Sequence, residues 1–170
     1  MRHFLFLCLF ATQTLLVAEV EIHHNPLLLE YANTHLSHFG FLKKTDDGFV
    51  YVKVSNAFIN QLLPLLNQSQ VKTPPYFGPN RVGAHISVIR DFEITNPKTL
   101  HINELGKKVF FEISDLCSVK PLGFPGCKKV WFLQVRCPEL EQLRERLGFS
   151  PKIAGHEFHI TIGIEKEKQM

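Results

Sequence analysis

The chain has 170 residues, of which 45% are hydrophobic and 21% are charged, as expected for one globular domain that buries a core. Its formal net charge is only +3, so it lacks the strongly basic character of proteins that bind long duplex DNA. A small anionic ligand or the end of a nucleic-acid strand is compatible with this charge. We expect a monomer with no duplex DNA partner.

The first eighteen residues have the pattern of a secretory signal peptide. A basic start at Arg2 precedes an apolar run from Phe4 to Ala11, and small residues up to Ala18 offer a cleavage site. The run is shorter than the roughly 20 residues that a membrane span needs. An N-terminal strand or buried helix is the alternative. We therefore predict an exported protein with a signal peptide at 1–18 and one domain at 19–170.

The first part of the domain is predicted to alternate between helices and strands. Asn25 followed by Pro26 predicts a helix start, because Asn caps helix ends and Pro suits the first helical position. This helix is expected to end near Gly40. Four further elements are predicted before the first motif: a turn at 43–48, a strand at 49–54, a helix at 55–66 shortened by Pro64, and a loop at 67–82.

The second part is predicted to contain more strand. Its elements are two strands at 109–113 and 118–122 joined by a turn, a strand at 129–136, a helix at 138–147, a strand around His159, and a solvated charged tail at 165–170.

Two short motifs share one pattern of side chains. His85-Ile86-Ser87-Val88 and His159-Ile160-Thr161-Ile162 each alternate a polar residue with an apolar one. In a strand, residues two apart point to the same face. Each motif strand is therefore expected to present a histidine and a hydroxyl on one face and to pack its apolar residues on the other.

The two motifs end equivalent segments of the chain. Strand, helix and motif strand follow one another over 49–90 and again over 129–164. This repeat predicts two similar lobes that place His85 and His159 across a shared cleft. A third match, His35-Leu36-Ser37, lies in a predicted helix and is treated as coincidental.

The paired motifs resemble the signature of the two-histidine (2H) phosphoesterase superfamily, which includes 2′-5′ RNA ligase-like proteins and cyclic nucleotide phosphodiesterases. The resemblance implies an α+β fold, duplicated and bilobal, with antiparallel sheets lining a central cleft and helices outside. It also implies metal-independent hydrolysis of 2′,3′-cyclic or 2′-5′ phosphodiester bonds in RNA ends or nucleotides, with no cofactor.

The motif residues suit this chemistry on their own terms. Histidine has an unperturbed pKa of about 6.5, so one imidazole can accept a proton while another donates one near neutral pH. His85 and His159 are therefore the candidate base and acid, in either order. Ser87 and Thr161 can donate hydrogen bonds to non-bridging phosphate oxygens.

Other substrate-binding residues are suggested only by their place in the chain. The loop at 67–82 runs into the first motif strand and is interpreted as a wall of the site, with a plain connector as the alternative. Its Tyr76 or Phe77 could stack on a nucleobase, although packing is the other role open to them. Arg81 and Lys152 are candidate phosphate-binding cations, as is Arg90, and each could equally be surface charge.

Two other classes of function remain open. The same cleft could bind a nucleotide or RNA without turning it over. A metal site could instead use dispersed histidines, although no Cys or carboxylate pattern completes it; those histidines are His23, His24, His35, His38 and His156.

The cysteines leave the redox state open. Cys8 lies in the predicted signal peptide, and the remaining three cannot all pair within one chain. Cys117 and Cys127 could form a disulfide in an oxidising compartment, and buried or free thiols are the alternative.

Overall fold

The structure is a computed structural model that describes residues 19–78, 80–121 and 125–167, without the side chain of Lys98. The predicted signal peptide at 1–18 lies outside the described residues.

Nine strands form one antiparallel sheet in the described part of the chain. They are β1 (Val20–His23), β2 (Phe39–Lys44), β3 (Val50–Lys53), β4 (Val71–Lys72), β5 (His85–Ile89), β6 (Lys108–Phe110), β7 (Glu112–Val119), β8 (Cys127–Arg136) and β9 (His159–Lys166). Their order across the sheet is β1-β7-β8-β9-β5-β3-β2-β6, and β4 pairs with β9 beside this path.

Four α-helices accompany the sheet within the described residues: α1 (Pro26–His35), α2 (Ala57–Asn60), α3 (Leu62–Leu65) and α4 (Pro138–Arg146). The predicted cap of α1 is confirmed, since Asn25 Oδ1 accepts a hydrogen bond from the Leu28 amide at 3.1 Å. Where one helix was predicted at 55–66, two short helices form, and Pro64 lies in the second. None of the described helices has the length and apolar character needed to span a membrane.

The core lies on the face of the sheet that carries the apolar motif residues. Ile86, Val88, Ile160 and Ile162 are fully buried there. Arg144 of α4 is also completely buried, and it donates a hydrogen bond to the Val88 carbonyl and forms an ion pair with Glu93. The inner side of β5 is thereby tied to α4, so the histidine side of the same strand faces away from the core.

The two predicted repeats occupy the centre of the sheet. β3 lies beside β5, and β8 lies beside β9, so each motif strand has the strand that begins its repeat as a neighbour. β5 and β9 pair directly with each other through Ile86 and Ile160. The mostly antiparallel sheet with few helices is compatible with a 2H phosphoesterase fold, while the duplicated bilobal arrangement and the cleft stay predictions.

Several predicted element boundaries are wrong. β1 and β2 were not predicted, and α1 ends at His35 rather than near Gly40. The turn expected between 113 and 118 is absent, because β7 runs unbroken over Glu112–Val119. Two residues of the predicted solvated tail, Glu165 and Lys166, belong to β9.

Candidate active site

The pairing of the two central strands brings both motifs to one place. Ile86 pairs with Ile160 in antiparallel register. Continuing that register by one residue in each direction places His85 opposite Thr161 and Ser87 opposite His159. Residues opposite each other share a face, so all four polar side chains lie together above a floor of buried isoleucine.

The neighbouring strands extend these pairs into two rows across the sheet. One row runs from Lys53 through His85 and Thr161 to Phe132, and the other from Tyr51 through Ser87 and His159 to Gln134. His85 and His159 are therefore diagonal neighbours, a relation in which residues lie about 7–8 Å apart. This spacing leaves room for a phosphate group between the two imidazoles.

Both histidines are held by the same backbone hydrogen bond. His85 Nδ1 donates to the Gly83 carbonyl at 2.7 Å, and His159 Nδ1 donates to the Glu157 carbonyl at 3.1 Å. A carbonyl oxygen only accepts, so Nδ1 must carry a proton in both rings. In the neutral form each Nε2 is left unprotonated, and it is the atom available for chemistry.

His85 lies among aromatic rings. The ring centroids of Tyr76, Phe49 and Tyr51 are 4.8, 5.6 and 5.8 Å from that of the imidazole. This burial lowers the pKa of His85, and the charges of His159, Lys53 and Arg90 lower it further, against the opposing effect of the hydrogen bond to Gly83.

His159 lies in a less aromatic environment. The Phe132 ring centroid is 4.9 Å from the imidazole, and Gln134 is its partner on β8. Burial lowers the pKa of His159 as well, with smaller contributions from His156 and Arg90, while the hydrogen bond to the Glu157 carbonyl raises it. Both imidazoles are thus biased toward the neutral form in the free protein.

The loop before β5 brings Tyr76 into contact with both motifs. Its ring lies against His85, and its hydroxyl is close enough to the Thr161 side chain for that group to oppose the effect of burial on the Tyr76 pKa. Burial raises the pKa of Tyr76 to about 12, so the hydroxyl stays protonated at neutral pH and can act as a donor. Phe77, the neighbouring candidate, instead packs against the hydrophobic core. The same loop contains β4, which was not predicted.

The three candidate cations differ in their distance from the motif residues. Lys152 forms an ion pair with Glu157, and Arg81 is exposed on the loop near Gly78. Among the contacts of the described residues, none joins either side chain to the four motif residues. Arg90 lies over the Phe49 ring, 5.9 Å from its centroid, and its charge contributes to the lowered pKa of both histidines.

Sequence reasoning missed one cation beside the motifs. Lys53 is paired with His85 across β3 and β5, and its Nζ donates to the Val82 carbonyl at 2.5 Å and to Asn56 Oδ1 at 3.0 Å. Burial lowers the pKa of Lys53. Alternation within the predicted strand at 49–54 put Lys53 and Tyr51 on one face, but it did not show which strand lies next to β3.

Three of the dispersed histidines have other partners. His23 Nε2 hydrogen-bonds with Ser118 Oγ, His35 stacks on Tyr31, and His38 Nε2 donates to the Ala32 carbonyl. Within the described residues, no group of three or more His, Cys, Asp or Glu side chains is arranged to hold a metal ion.

The three described cysteines are free and buried, so the disulfide considered between Cys117 and Cys127 is not formed. Burial raises the pKa of Cys117 and of Cys137 to about 11, which keeps both thiols protonated at neutral pH.

Comparison with known proteins agrees with this geometry. A family model described as "Swiss Army Knife, 2H phosphoesterase domain" matches residues 50–170, which include both motif strands. No curated protein and no solved structure matches the chain significantly. The match covers well over half of the chain, and the chain therefore belongs to the 2H phosphoesterase family.

Proposed function

We propose that this protein is a metal-independent phosphodiesterase that hydrolyses 2′,3′-cyclic or 2′-5′ phosphodiester bonds in RNA ends or nucleotides. Membership of the 2H family supports phosphoesterase activity in general. The specific bond and the acid–base mechanism are our proposal, and we expect the protein to act as a monomer.

One observation carries the proposal. The two histidines use the same hydrogen bond from Nδ1 to a carbonyl two residues earlier, and they are placed diagonally on adjacent strands. Each ring is therefore fixed with Nε2 free on the shared face. A pair of imidazoles oriented alike on opposite sides of one phosphate can act as base and acid in the same step.

The reaction proceeds by in-line displacement at phosphorus. Neutral Nε2 of one histidine accepts a proton from water as the water oxygen bonds to phosphorus. The bond from phosphorus to the departing ribose oxygen breaks, and the protonated Nε2 of the other histidine gives that oxygen its proton. A phosphomonoester and a free ribose hydroxyl result, and proton exchange with solvent restores both histidines.

The remaining polar groups of the face would bind the phosphate oxygens. Ser87 and Thr161 supply hydroxyl donors beside the histidines, and the Tyr76 hydroxyl lies near the Thr161 side chain. Arg90 and Lys53 supply positive charge near the same point. Donors that are already oriented toward the phosphate stabilise its charge without reorganisation during the reaction.

The test is turnover of a nucleoside 2′,3′-cyclic phosphate in the presence of a chelator, from pH 5 to 9. His85→Ala and His159→Ala should each lower kcat about 10²- to 10⁴-fold, because each removes one proton transfer. His101→Ala, which removes an exposed histidine outside the site, is the matched control. The pH profile of kcat/KM should be bell-shaped with its maximum below about pH 6.5, because burial lowers both histidine pKa values.

The opposite outcome would favour the binding alternative. If the wild-type protein hydrolyses neither this substrate nor a 2′-5′-linked dinucleotide, yet binds a nucleotide saturably, the face serves recognition rather than catalysis. Activity that survives either histidine substitution in a folded protein would contradict the paired mechanism.

We also propose that the protein is exported, as the sequence pattern at 1–18 indicates. Expression in a secreting host followed by N-terminal sequencing should give a mature chain that starts at Glu19. A chain that retains Met1 and stays inside the cell would contradict the proposal.

A further inference from the structure

A surface of alternating cationic and aromatic residues continues from the candidate active site across one half of the sheet. Lys53 is paired with His85, Phe41 with Lys53, and Lys108 with Phe41. Paired residues share a face, so these side chains form a continuous row over three strand spacings, or about 14 Å.

The far end of this row is a cluster of three rings, here called the distal aromatic cluster: the exposed Phe41 and Phe110, and the half-buried Phe39. The Phe39 ring centroid lies 6.0 Å from that of Phe110 and 6.1 Å from that of Phe41. Lys108 Nζ lies 4.2 Å from the Phe39 centroid. Phe110 is 64% exposed and Phe41 is 42% exposed, so these rings contribute little to the core and are available to a partner.

The charge of this half of the sheet suits a polyanion. The strands β5, β3, β2 and β6, all fully described, contain no Asp or Glu. They contain four lysines, of which Lys43, Lys53 and Lys108 lie on the histidine face. Cations placed between aromatic rings are the arrangement by which proteins hold single-stranded nucleic acid.

We propose that the distal aromatic cluster binds nucleobases of a single-stranded RNA whose terminal phosphate lies between His85 and His159. This inference rests on the proposed function and names its substrate class. A span of about 14 Å exceeds one nucleotide, so the cluster contacts nucleotides beyond the one that reacts. The preferred substrate is then an oligoribonucleotide end rather than a free mononucleotide.

A second copy of the chain is the other occupant to consider, because β6 is an edge strand of the sheet. Antiparallel pairing of two β6 strands would join two surfaces that each contain Lys43, Lys53 and Lys108 and whose strands contain no acidic residue. Bringing together two surfaces with the same sign of charge is unfavourable. The charge of the surface therefore favours RNA.

The first test compares a short single-stranded oligoribonucleotide ending in a 2′,3′-cyclic phosphate with the corresponding nucleoside cyclic phosphate. Phe110→Ala should raise KM for the oligonucleotide at least about fivefold, the effect of losing one base–aromatic stack, and should leave mononucleotide kinetics unchanged. The matched control is Ile22→Ala. Ile22 is 70% exposed and lies at the opposite end of the row that passes through His85.

The second test measures binding without turnover. Fluorescence anisotropy of the oligoribonucleotide with a 3′-phosphate should show weaker binding to Phe110→Ala and unchanged binding to Ile22→Ala. Lys108→Gln should lower the slope of log affinity against log salt by about 0.7, the value for one lost phosphate contact on a single strand.

The two tests separate the inference from the proposed function. Absence of turnover on both substrates and on a 2′-5′-linked dinucleotide refutes the proposed function, and anisotropy then decides the RNA surface alone. Equal effects of Phe110→Ala and Ile22→Ala on the oligonucleotide overturn the inference. So does a wild-type dimer in sedimentation that Phe110→Ala converts to a monomer without changing RNA affinity.

Discussion

The two halves of the sheet hold their histidines with the same hydrogen bond but differ in the residues of the surrounding strands. In each half the imidazole donates Nδ1 to a carbonyl two residues earlier in the chain. The half that contains His85 (β5, β3, β2, β6) has aromatic rings and lysines and no acidic residue in its strands. The half that contains His159 (β9, β8, β7, β1) has four acidic residues in its strands: Glu21, Glu112, Asp115 and Glu165.

This difference separates two requirements of the proposed reaction. Acid–base exchange needs two equivalent imidazoles, and the shared backbone hydrogen bond meets that need in both halves. Binding a strand of RNA needs a surface on one side of the site, because the RNA extends from the reacting phosphate in one direction. In the proposed complex the basic and aromatic half supplies that surface, so duplication of the motif and asymmetry of its surroundings serve different purposes.

Among the variants that test this comparison of the two halves, substitutions of the motif hydroxyl residues Thr161 and Ser87 should lower kcat most. The Tyr76 hydroxyl lies near the Thr161 side chain and can orient it, so Thr161→Val should lower kcat about 10²-fold, as loss of one oriented donor does. Ser87→Ala should lower kcat only about tenfold, because no side chain of the described residues interacts with the Ser87 hydroxyl in this way and an unoriented donor stabilises charge less well. Single-turnover kinetics of the two variants on a cyclic phosphate measure the difference.

Tyr76→Phe is the control for that result. It keeps the ring against His85 and removes only the hydroxyl. In the Tyr76→Phe background, Thr161→Val should therefore lower kcat no more than Ser87→Ala does in the wild-type protein. Equal losses for Thr161→Val and Ser87→Ala in the wild-type background would show that the Tyr76 contact has no part in catalysis.

The sequence was sufficient to predict which motif residues share a face. Period-two alternation around His85 and His159 identified the polar side of each strand, and the burial of Ile86 and Ile160 agrees with it. Alternation contains no information about strand neighbours, however. The diagonal relation of the histidines and the place of Lys53 depend on long-range pairing and needed the structure.

Two errors in the predicted secondary structure have local causes. Gly40 was interpreted as a helix stop, but it lies in β2, where a Cβ would come within 2.4 Å of the Lys53 carbonyl oxygen; the glycine permits close approach of β3. In β7 a register shift lies between Ile113 and Asp115. That irregularity interrupts the alternation where a turn was predicted, while the predicted strand at 109–113 runs across the break at Phe111 between β6 and β7.

A smaller effect is expected at the glycines that precede the histidines. Gly83 has φ +70°, and a Cβ there would lie 2.4 Å from Lys53 Nζ and 2.5 Å from Asn56 Oδ1. Gly83→Ala should lower kcat/KM about tenfold, because the displaced carbonyl no longer holds His85 in place. Gly155 has φ +78° and open space around it, so Gly155→Ala is the matched control.

Both glycine variants should lose about 1–2 kcal/mol of stability from the left-handed backbone, and Gly83→Ala should lose more because its Cβ displaces Lys53 and Asn56. Urea unfolding measures these losses, and only Gly83→Ala should add a loss of activity. If Gly155→Ala lowers kcat/KM as much, the close packing around Gly83 has no specific effect on His85.

The smallest effect concerns stability as a function of pH. Burial lowers the pKa of both His85 and His159 in the folded protein, so below about pH 6.5 the unfolded chain binds more protons than the folded one. Stability should therefore fall as pH drops through this range and recover above it. The double variant His85→Gln/His159→Gln should lose a few degrees less in Tm than wild type between pH 7.5 and 5.

His23, whose pKa is also lowered by burial, remains in the double variant, so part of the acid sensitivity should persist. His101→Gln, at an exposed position outside the site, should match wild type at both pH values. Because Arg90 contributes to the lowered pKa of both imidazoles, Arg90→Gln should weaken the acid sensitivity without abolishing it.

An acid-induced fall in Tm that is identical in wild type and the double variant would mean that the two histidines are protonated as easily in the folded as in the unfolded chain. In that case the neutral Nε2 on which the proposed base depends would be no more available in this site than in free histidine.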